Sequence, residues 1–221
     1  MKRYFGHAPL LRRLLAMTLA AGALAASGSA LAVLELRDIN GHPTANSADA
    51  EFAYDTLLDA TWYLTGNNSR LDWDAAKGWA AGLTVGTFEG WSLPSTNESC
   101  FGFCSRGQMG ELYYKALGNK TPGLSNTGPF KNLLKSLSYW LGTEVPPNPE
   151  RGLSPGLVWV YSMGEGVQAP SHKYVAVYAL AIRPGDVAPV AVPEPGTIAL
   201  LLSGLGAVTL LSRRRALRPA R

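Results

Sequence analysis

The chain has 221 residues, a formal net charge of +4 and a pI near 9.1. That pI would suit a nucleic-acid-binding protein, but nine of the 20 basic residues lie within the first 13 and the last nine residues. Residues 33–192 carry 11 basic and 15 acidic residues, a net charge of −4, so we expect no nucleic-acid partner.

The N-terminus has the three parts of a secretory signal peptide. A positively charged region is followed by an apolar stretch over residues 14–26 and by an A-x-A cleavage site at Ala30 and Ala32. We therefore predict that residues 1–32 are a signal peptide, that the general secretion machinery exports the chain, and that the mature protein begins at Val33.

About 160 residues remain between the two ends, which is enough for one globular domain. We place this domain at residues 33–187. Its first predicted elements are a strand at Trp62–Leu64 and a helix at Trp73–Leu83, where apolar residues recur at helical spacing behind the N-cap Asp72.

A short extended segment is predicted before Pro94, since a proline disfavours helix in the residue that precedes it. Trp91 and Leu93 stand two positions apart in this segment, so their side chains share one face. We expect both to point into the core.

Cys100 and Cys104 are the only cysteines of the chain. An even number of cysteines in an exported protein favours a disulfide between them. A zinc site is the alternative, but zinc needs further Cys or His ligands, and only His42 and His172 follow the signal peptide. We predict a disulfide and no metal or cofactor site.

The second predicted helix covers Gly107–Leu117. Ser105 and Gln108 have the spacing of a capping box at its start, and Gly118 supplies a C-terminal stop. A third, short helix is predicted at Phe130–Leu137.

Two strands are predicted near the end of the domain, at Leu157–Met163 and Tyr174–Ile182. The second is mostly apolar, which is typical of a strand in the centre of a sheet. Just beyond it, Arg183 is expected to form a salt bridge with Asp55 or Asp59. Helices first and paired strands later predict an α+β fold with a small mixed or antiparallel sheet, two to three helices and long loops.

Residues 188–221 combine a linker, a Pro-Glu-Pro motif, an apolar run and a basic end. The apolar run at residues 197–212 would form about 24 Å of helix, which can just span a membrane. Arginines after it hold that end in the cytoplasm. This pattern resembles the PEP-CTERM sorting signal, with the motif Val192, Pro193, Glu194, Pro195 and Gly196 and the basic residues Arg213, Arg214 and Arg215.

The PEP-CTERM resemblance implies recognition by an exosortase, with cleavage near Pro193–Pro195. It also implies an intermediate held in the inner membrane by the C-terminal helix, followed by transfer to the cell envelope or to the outside of the cell. An ordinary C-terminal membrane anchor is the alternative interpretation of the apolar run.

The middle of the chain resembles the Lcl C-terminal-like domain of bacterial exported proteins. Six segments in the same order carry the resemblance, beginning at Asp55, Leu71, Gly90, Gly110, Tyr139 and Ala181. The family usually has an arginine where this chain has Ser92. The resemblance implies a single C-type-lectin-like domain and, for an adhesin relative, binding of sulfated polysaccharides.

Neither remaining histidine stands in a recognisable catalytic arrangement, so we predict that the chain is not an enzyme. The expected function is that of a non-catalytic envelope or matrix protein in an exopolysaccharide or biofilm context. Sugars would stack on aromatic residues in the loops at 148–172. The alternative is an envelope enzyme that acts on glycans through Glu111, Glu144 or Glu165.

Overall fold

The computed structural model describes residues 33–96, 100–134, 137–189 and Ser203. These residues form an α+β arrangement of two four-stranded antiparallel sheets and a few short helices. No helix in this part of the chain is long and apolar enough to cross a membrane. Three predicted segments lie outside the described residues. They are the signal peptide with its cleavage residues Ala30 and Ala32, the sorting residues 192–196 and 213–215, and the membrane helix at 197–212 except for Ser203.

The first sheet has the strand order β1–β2–β3–β8. Its strands are β1 (Leu34–Arg37), β2 (Phe52–Asp55), β3 (Ala60–Tyr63) and β8 (Ile182–Pro184). The early strand predicted at Trp62–Leu64 is therefore present as β3, shifted toward the N-terminus. Trp62 pairs with Ile182, which joins the start of the domain to its end.

The second sheet has the order β4–β7–β6–β5. Its strands are β4 (Gly102–Phe103), β5 (Ser138–Glu144), β6 (Leu157–Ser162) and β7 (Val167–His172). The strand predicted at Leu157–Met163 is β6. Its hairpin partner is β7, in register from Leu157 opposite His172 to Ser162 opposite Val167.

The prediction of a central strand at Tyr174–Ile182 is wrong. This segment pairs with Leu71 at Val177 and with Tyr139 at Tyr178, and Ala181 accepts a hydrogen bond from the Tyr63 amide. Because its partners change every few residues, no continuous ladder forms, and only Ile182 enters a strand. Only its second half, residues 179–182, is fully buried as the chain crosses between the two sheets, while Tyr174 at its start is exposed.

The helix predicted at Trp73–Leu83 is confirmed as α1 (Trp73–Ala81). The Asp72 carboxylate accepts a hydrogen bond of 2.8 Å from the Ala75 amide, so Asp72 is the predicted N-cap. Gly82 ends the helix.

The second predicted helix is present as α2 (Gln108–Glu111) followed by a π-helical turn (Leu112–Ala116). The predicted capping box is wrong, because Gly107 is the N-cap and the Gln108 side chain accepts from the Ser95 amide at 2.7 Å. Gly118 follows the turn with φ of +63°, as expected for a stop.

The third predicted helix is wrong for all of its described residues, 130–134 and 137. Here the Lys131 amide donates to the Leu64 carbonyl, and the Asn132 side chain bonds to Gly66. These bonds tie the segment to the loop after β3 instead of to a helical turn of its own.

Two apolar clusters form the core of the described residues. Trp62 and Trp159 belong to the first cluster, while Trp91 and Leu93 belong to the second. Trp91 and Leu93 are both buried, which confirms the predicted inward orientation.

Candidate functional site: an uncharged cleft beside the first helix

A cleft with a volume of about 460 Å³ opens between α1 and the chain that follows β3. We call it the amide cleft. Its helix wall consists of Ala75 and Trp79 of α1 and of Leu83 just beyond the end of the helix. Its loop wall consists of Tyr63, Thr65, Gly66, Asn67, Asn68, Ser69 and Leu71.

The loop wall is fixed by Asn132. The Asn132 side chain accepts from the Gly66 amide at 2.7 Å and donates to the Gly66 carbonyl at 2.8 Å. Its amide also lies 3.0 Å from the Asn68 side-chain oxygen. A Cβ at Gly66 would lie 3.0 Å from the Ala179 carbonyl oxygen, so this turn favours a glycine for close approach.

The floor of the loop is anchored to the buried segment that crosses between the sheets. Asn67 is buried, and its side-chain oxygen accepts from the Ala179 amide at 2.6 Å. The backbones of Leu71 and Val177 also exchange two hydrogen bonds. Both anchors hold the cleft open before any ligand arrives.

The helix wall follows from the periodicity of α1. Trp73, Ala76 and Ala80 face the core, which leaves Ala75 and Trp79 on the side that borders the cleft. Trp79 and Tyr63 are each half-buried and line the cleft, and the Tyr63 ring also packs against Trp91 with ring centres 5.9 Å apart.

None of the residues that line the amide cleft carries a charge. Its polar groups are the side-chain amides of Asn67 and Asn68 and the hydroxyls of Tyr63, Thr65 and Ser69. Such groups donate and accept hydrogen bonds without moving a proton at neutral pH. The cleft can therefore recognise hydroxyl groups but offers no acid, base or nucleophile pair.

The acids proposed for a glycan-cleaving site do not line the cleft. Glu111 pairs with Lys115 at 3.2 Å, and Glu144 pairs with Lys173 at 2.8 Å. Glu165 is exposed in the turn between β6 and β7. In the described part of the chain, no group of three or more His, Cys, Asp or Glu is placed to hold a metal ion.

The loops predicted to contact sugars, at 148–172, expose few aromatic rings. Trp159 and Tyr161 are fully buried in the first core cluster. The amide cleft was not predicted, although the sequence contains a usable signal for it, the run Gly66, Asn67, Asn68 and Ser69 between an aromatic strand and a helix.

The predicted salt bridge of Arg183 is also wrong. Asp55 accepts from the amides of Leu57 and Leu58, and Asp59 accepts from the Tyr54 hydroxyl. The Arg183 guanidinium instead lies 5.5 Å from the centre of the Phe88 ring.

The structure contains the disulfide that was predicted between Cys100 and Cys104, with Cα atoms 5.7 Å apart. Gln168 donates to the Cys100 carbonyl at 2.7 Å, and the Tyr161 hydroxyl donates to the Cys104 carbonyl at 3.2 Å. The disulfide loop is therefore held to the second sheet at both of its ends.

Comparison with known proteins assigns the C-terminal segment. Residues 191–215 match the family described as the PEP-CTERM protein-sorting motif, and this range contains the predicted Val192–Gly196 motif and Arg213–Arg215. The chain thus carries the signal of an exported protein that an exosortase processes. No curated protein and no solved structure matches the chain.

Proposed function

We propose that this chain is a non-catalytic, polysaccharide-associated protein of the cell envelope or extracellular matrix. Its mature domain would bind uncharged sugar units in the amide cleft after an exosortase has released it from an inner-membrane intermediate. The sorting match at residues 191–215 supports export and processing. The proposal of sugar binding depends on the chemistry of the cleft.

The combination of partly exposed aromatic rings and uncharged polar groups is the observation that carries this proposal. Trp79 and Tyr63 offer apolar faces on which a sugar ring can stack, and Asn68 and Ser69 offer partners for its hydroxyls. Most enzymes that hydrolyse a glycosidic bond use a pair of carboxyl groups that flank it. The lining of this cleft supplies none, which favours binding over cleavage.

The six ordered sequence segments support a further part of the proposal, that residues 33–187 form an Lcl C-terminal-like domain with a C-type-lectin-like fold. The observed α+β arrangement with small antiparallel sheets is compatible with that assignment. An exopolysaccharide or biofilm setting would then supply the ligand.

The test is a calorimetric titration of the purified domain with neutral and with acidic oligosaccharides, which measures the affinity for each. We expect neutral oligosaccharides to bind and Trp79→Ala to weaken that binding about fivefold, because loss of an aromatic face costs about 1 kcal/mol. Trp79→Phe, which keeps a ring, should retain most of the affinity.

Tyr174→Ala is the matched control, since Tyr174 is 78% exposed but does not line the cleft. It should bind like the original protein. A flat response to every neutral and acidic oligosaccharide would overturn the proposal, and release of reducing ends from any of them would favour the enzyme alternative.

A further inference from the structure

A second cavity lies beside the disulfide loop and differs from the amide cleft in its chemistry. It has a volume of about 280 Å³, and we call it the Phe101 notch. Two residues of its lining, Asn148 and Arg151, are polar, and the others are apolar: Phe101, Val145, Pro146, Pro147, Leu153 and Trp159. The volume is just below the range of roughly 300–1,000 Å³ that is typical of small-molecule sites, so a single ring-sized group fits.

Arg151 supplies the one charge in the lining of the notch. Its guanidinium lies 6.0 Å from the centre of the Phe101 ring, and no carboxylate of the described residues lies within ion-pair distance of it. Glu150 precedes it in the same 3-10 helix (Pro149–Arg151), where successive side chains point about 120° apart, and Glu150 does not line the notch.

The wall that carries Arg151 is preformed. Asn148 caps the 3-10 helix through a bond from the Arg151 amide to its side chain, and Asn148 and Leu153 exchange two backbone hydrogen bonds. Pro146 and Pro147 further restrict the backbone that leads into this turn.

The opposite wall is also fixed. The disulfide closes the loop that holds Phe101, and the Phe101 ring packs edge-on against Trp159 with ring centres 4.6 Å apart. Trp159 is completely buried, while Phe101 remains 42% exposed. A ligand would therefore meet an aromatic face that is already in position, which lowers the entropy cost of binding.

We infer that the Phe101 notch binds a small organic carboxylate with an apolar, ring-shaped body. The ring would pack against Phe101 and the prolines, and the carboxylate would accept charge-assisted hydrogen bonds from Arg151. A hydroxyl-rich sugar fits poorly, because Asn148 and Arg151 are the only polar residues of the lining and hydroxyls buried against the six apolar residues would lack partners. This inference does not depend on sugar binding in the amide cleft.

The test is calorimetric titration of the exported protein with benzoate and with cyclohexanecarboxylate. Benzamide is the neutral comparison for the carboxylate, and galacturonate is the hydroxyl-rich comparison for the apolar body. We expect both apolar carboxylates to bind and benzamide and galacturonate to bind at least about fivefold more weakly.

Two variants locate the site. Arg151→Gln should weaken benzoate binding at least about fivefold, because Arg151 is exposed and its loss removes the only cation of the lining without disturbing the core. Phe101→Leu, which keeps an apolar side chain but removes the ring, should weaken it as well.

Arg70→Gln is the matched control. Arg70 is also exposed and also lies 6.0 Å from an aromatic ring, that of Tyr178, but it does not line the notch. It should leave benzoate binding unchanged. The inference is overturned if neither carboxylate binds, if benzamide or galacturonate binds as tightly as benzoate, or if Arg151→Gln and Arg70→Gln have equal effects.

Discussion

Arg37 is a buried cation whose charge is balanced by two acids. Its guanidinium lies 2.6 Å from an Asp186 oxygen and 2.7 Å from Glu35, and its side chain is 6% exposed. Burial alone would raise the pKa of Asp186, but the hydrogen bonds and charge of Arg37 outweigh burial and hold that pKa below its ordinary value. The pair links β1 to the chain that follows β8.

The lowered pKa of Asp186 makes a specific contribution to the pH dependence of stability. Since the folded-state pKa lies below the unfolded value of about 3.9, the contribution is present above that pH and is lost as the pH falls through the folded-state pKa. Burial raises the pKa of Asp55, so ionisation of Asp55 lowers the free energy of unfolding as the pH rises, opposite to the effect of Asp186.

Asp186→Asn should lower the free energy of unfolding by about 2 kcal/mol at pH 7, because Arg37 loses a charged partner while Glu35 still pairs with it. The difference between the two proteins should shrink below about pH 4. Urea unfolding at pH 7 and at pH 3 measures this. Asp74→Asn on the exposed side of α1 is the control, and a difference that is equal at both pH values would contradict the account.

At the scale of elements, the two helices use glycine in different ways. A Cβ at Gly78 in α1 would meet no atom within 4 Å. A Cβ at Gly110 in α2 would overlap the Cys104 carbonyl oxygen, which the Tyr161 hydroxyl also holds in place. The close approach of α2 to the disulfide loop thus requires a glycine, whereas α1 merely tolerates one.

Gly78→Ala should raise the free energy of unfolding by up to about 1 kcal/mol, because alanine has the better helix propensity. Gly110→Ala should lower it by more than 1 kcal/mol, roughly the cost of overpacking a core. Chemical denaturation of both variants and of the original protein measures these changes in the free energy of unfolding. Equal effects of the same sign would show that α2 does not pack on the disulfide loop as described.

Local signals predicted α1 and β6 well, because Asp72 caps its own helix and the apolar run of β6 is buried in one sheet. They failed where a residue bonds to a distant segment. Gln108 bonds to Ser95 instead of completing a capping box, and Asn132 bonds to Gly66 instead of continuing a helix. The amide cleft was missed for the same reason, since its loop is shaped by contacts remote in sequence.

At the scale of the whole molecule, the chain combines a sorting segment with a domain that contains two contrasting cavities. The sorting segment, residues 191–215, could be predicted from sequence because its motif, apolar run and arginines are contiguous. The amide cleft is uncharged, while the Phe101 notch is mostly apolar with one cation, Arg151, and one side-chain amide, Asn148. We therefore expect sugar binding and carboxylate binding to respond to different substitutions.

The central claim is that this is an exported protein processed by an exosortase, and intact mass measurement tests it most directly. The protein is recovered from producing cells with and without the exosortase, and its mass is compared with the sequence. We predict that the protein from exosortase-containing cells lacks the residues after the Pro193–Pro195 motif, while the protein from cells without the enzyme retains Arg221. Retention of Arg221 in both samples would contradict the claim.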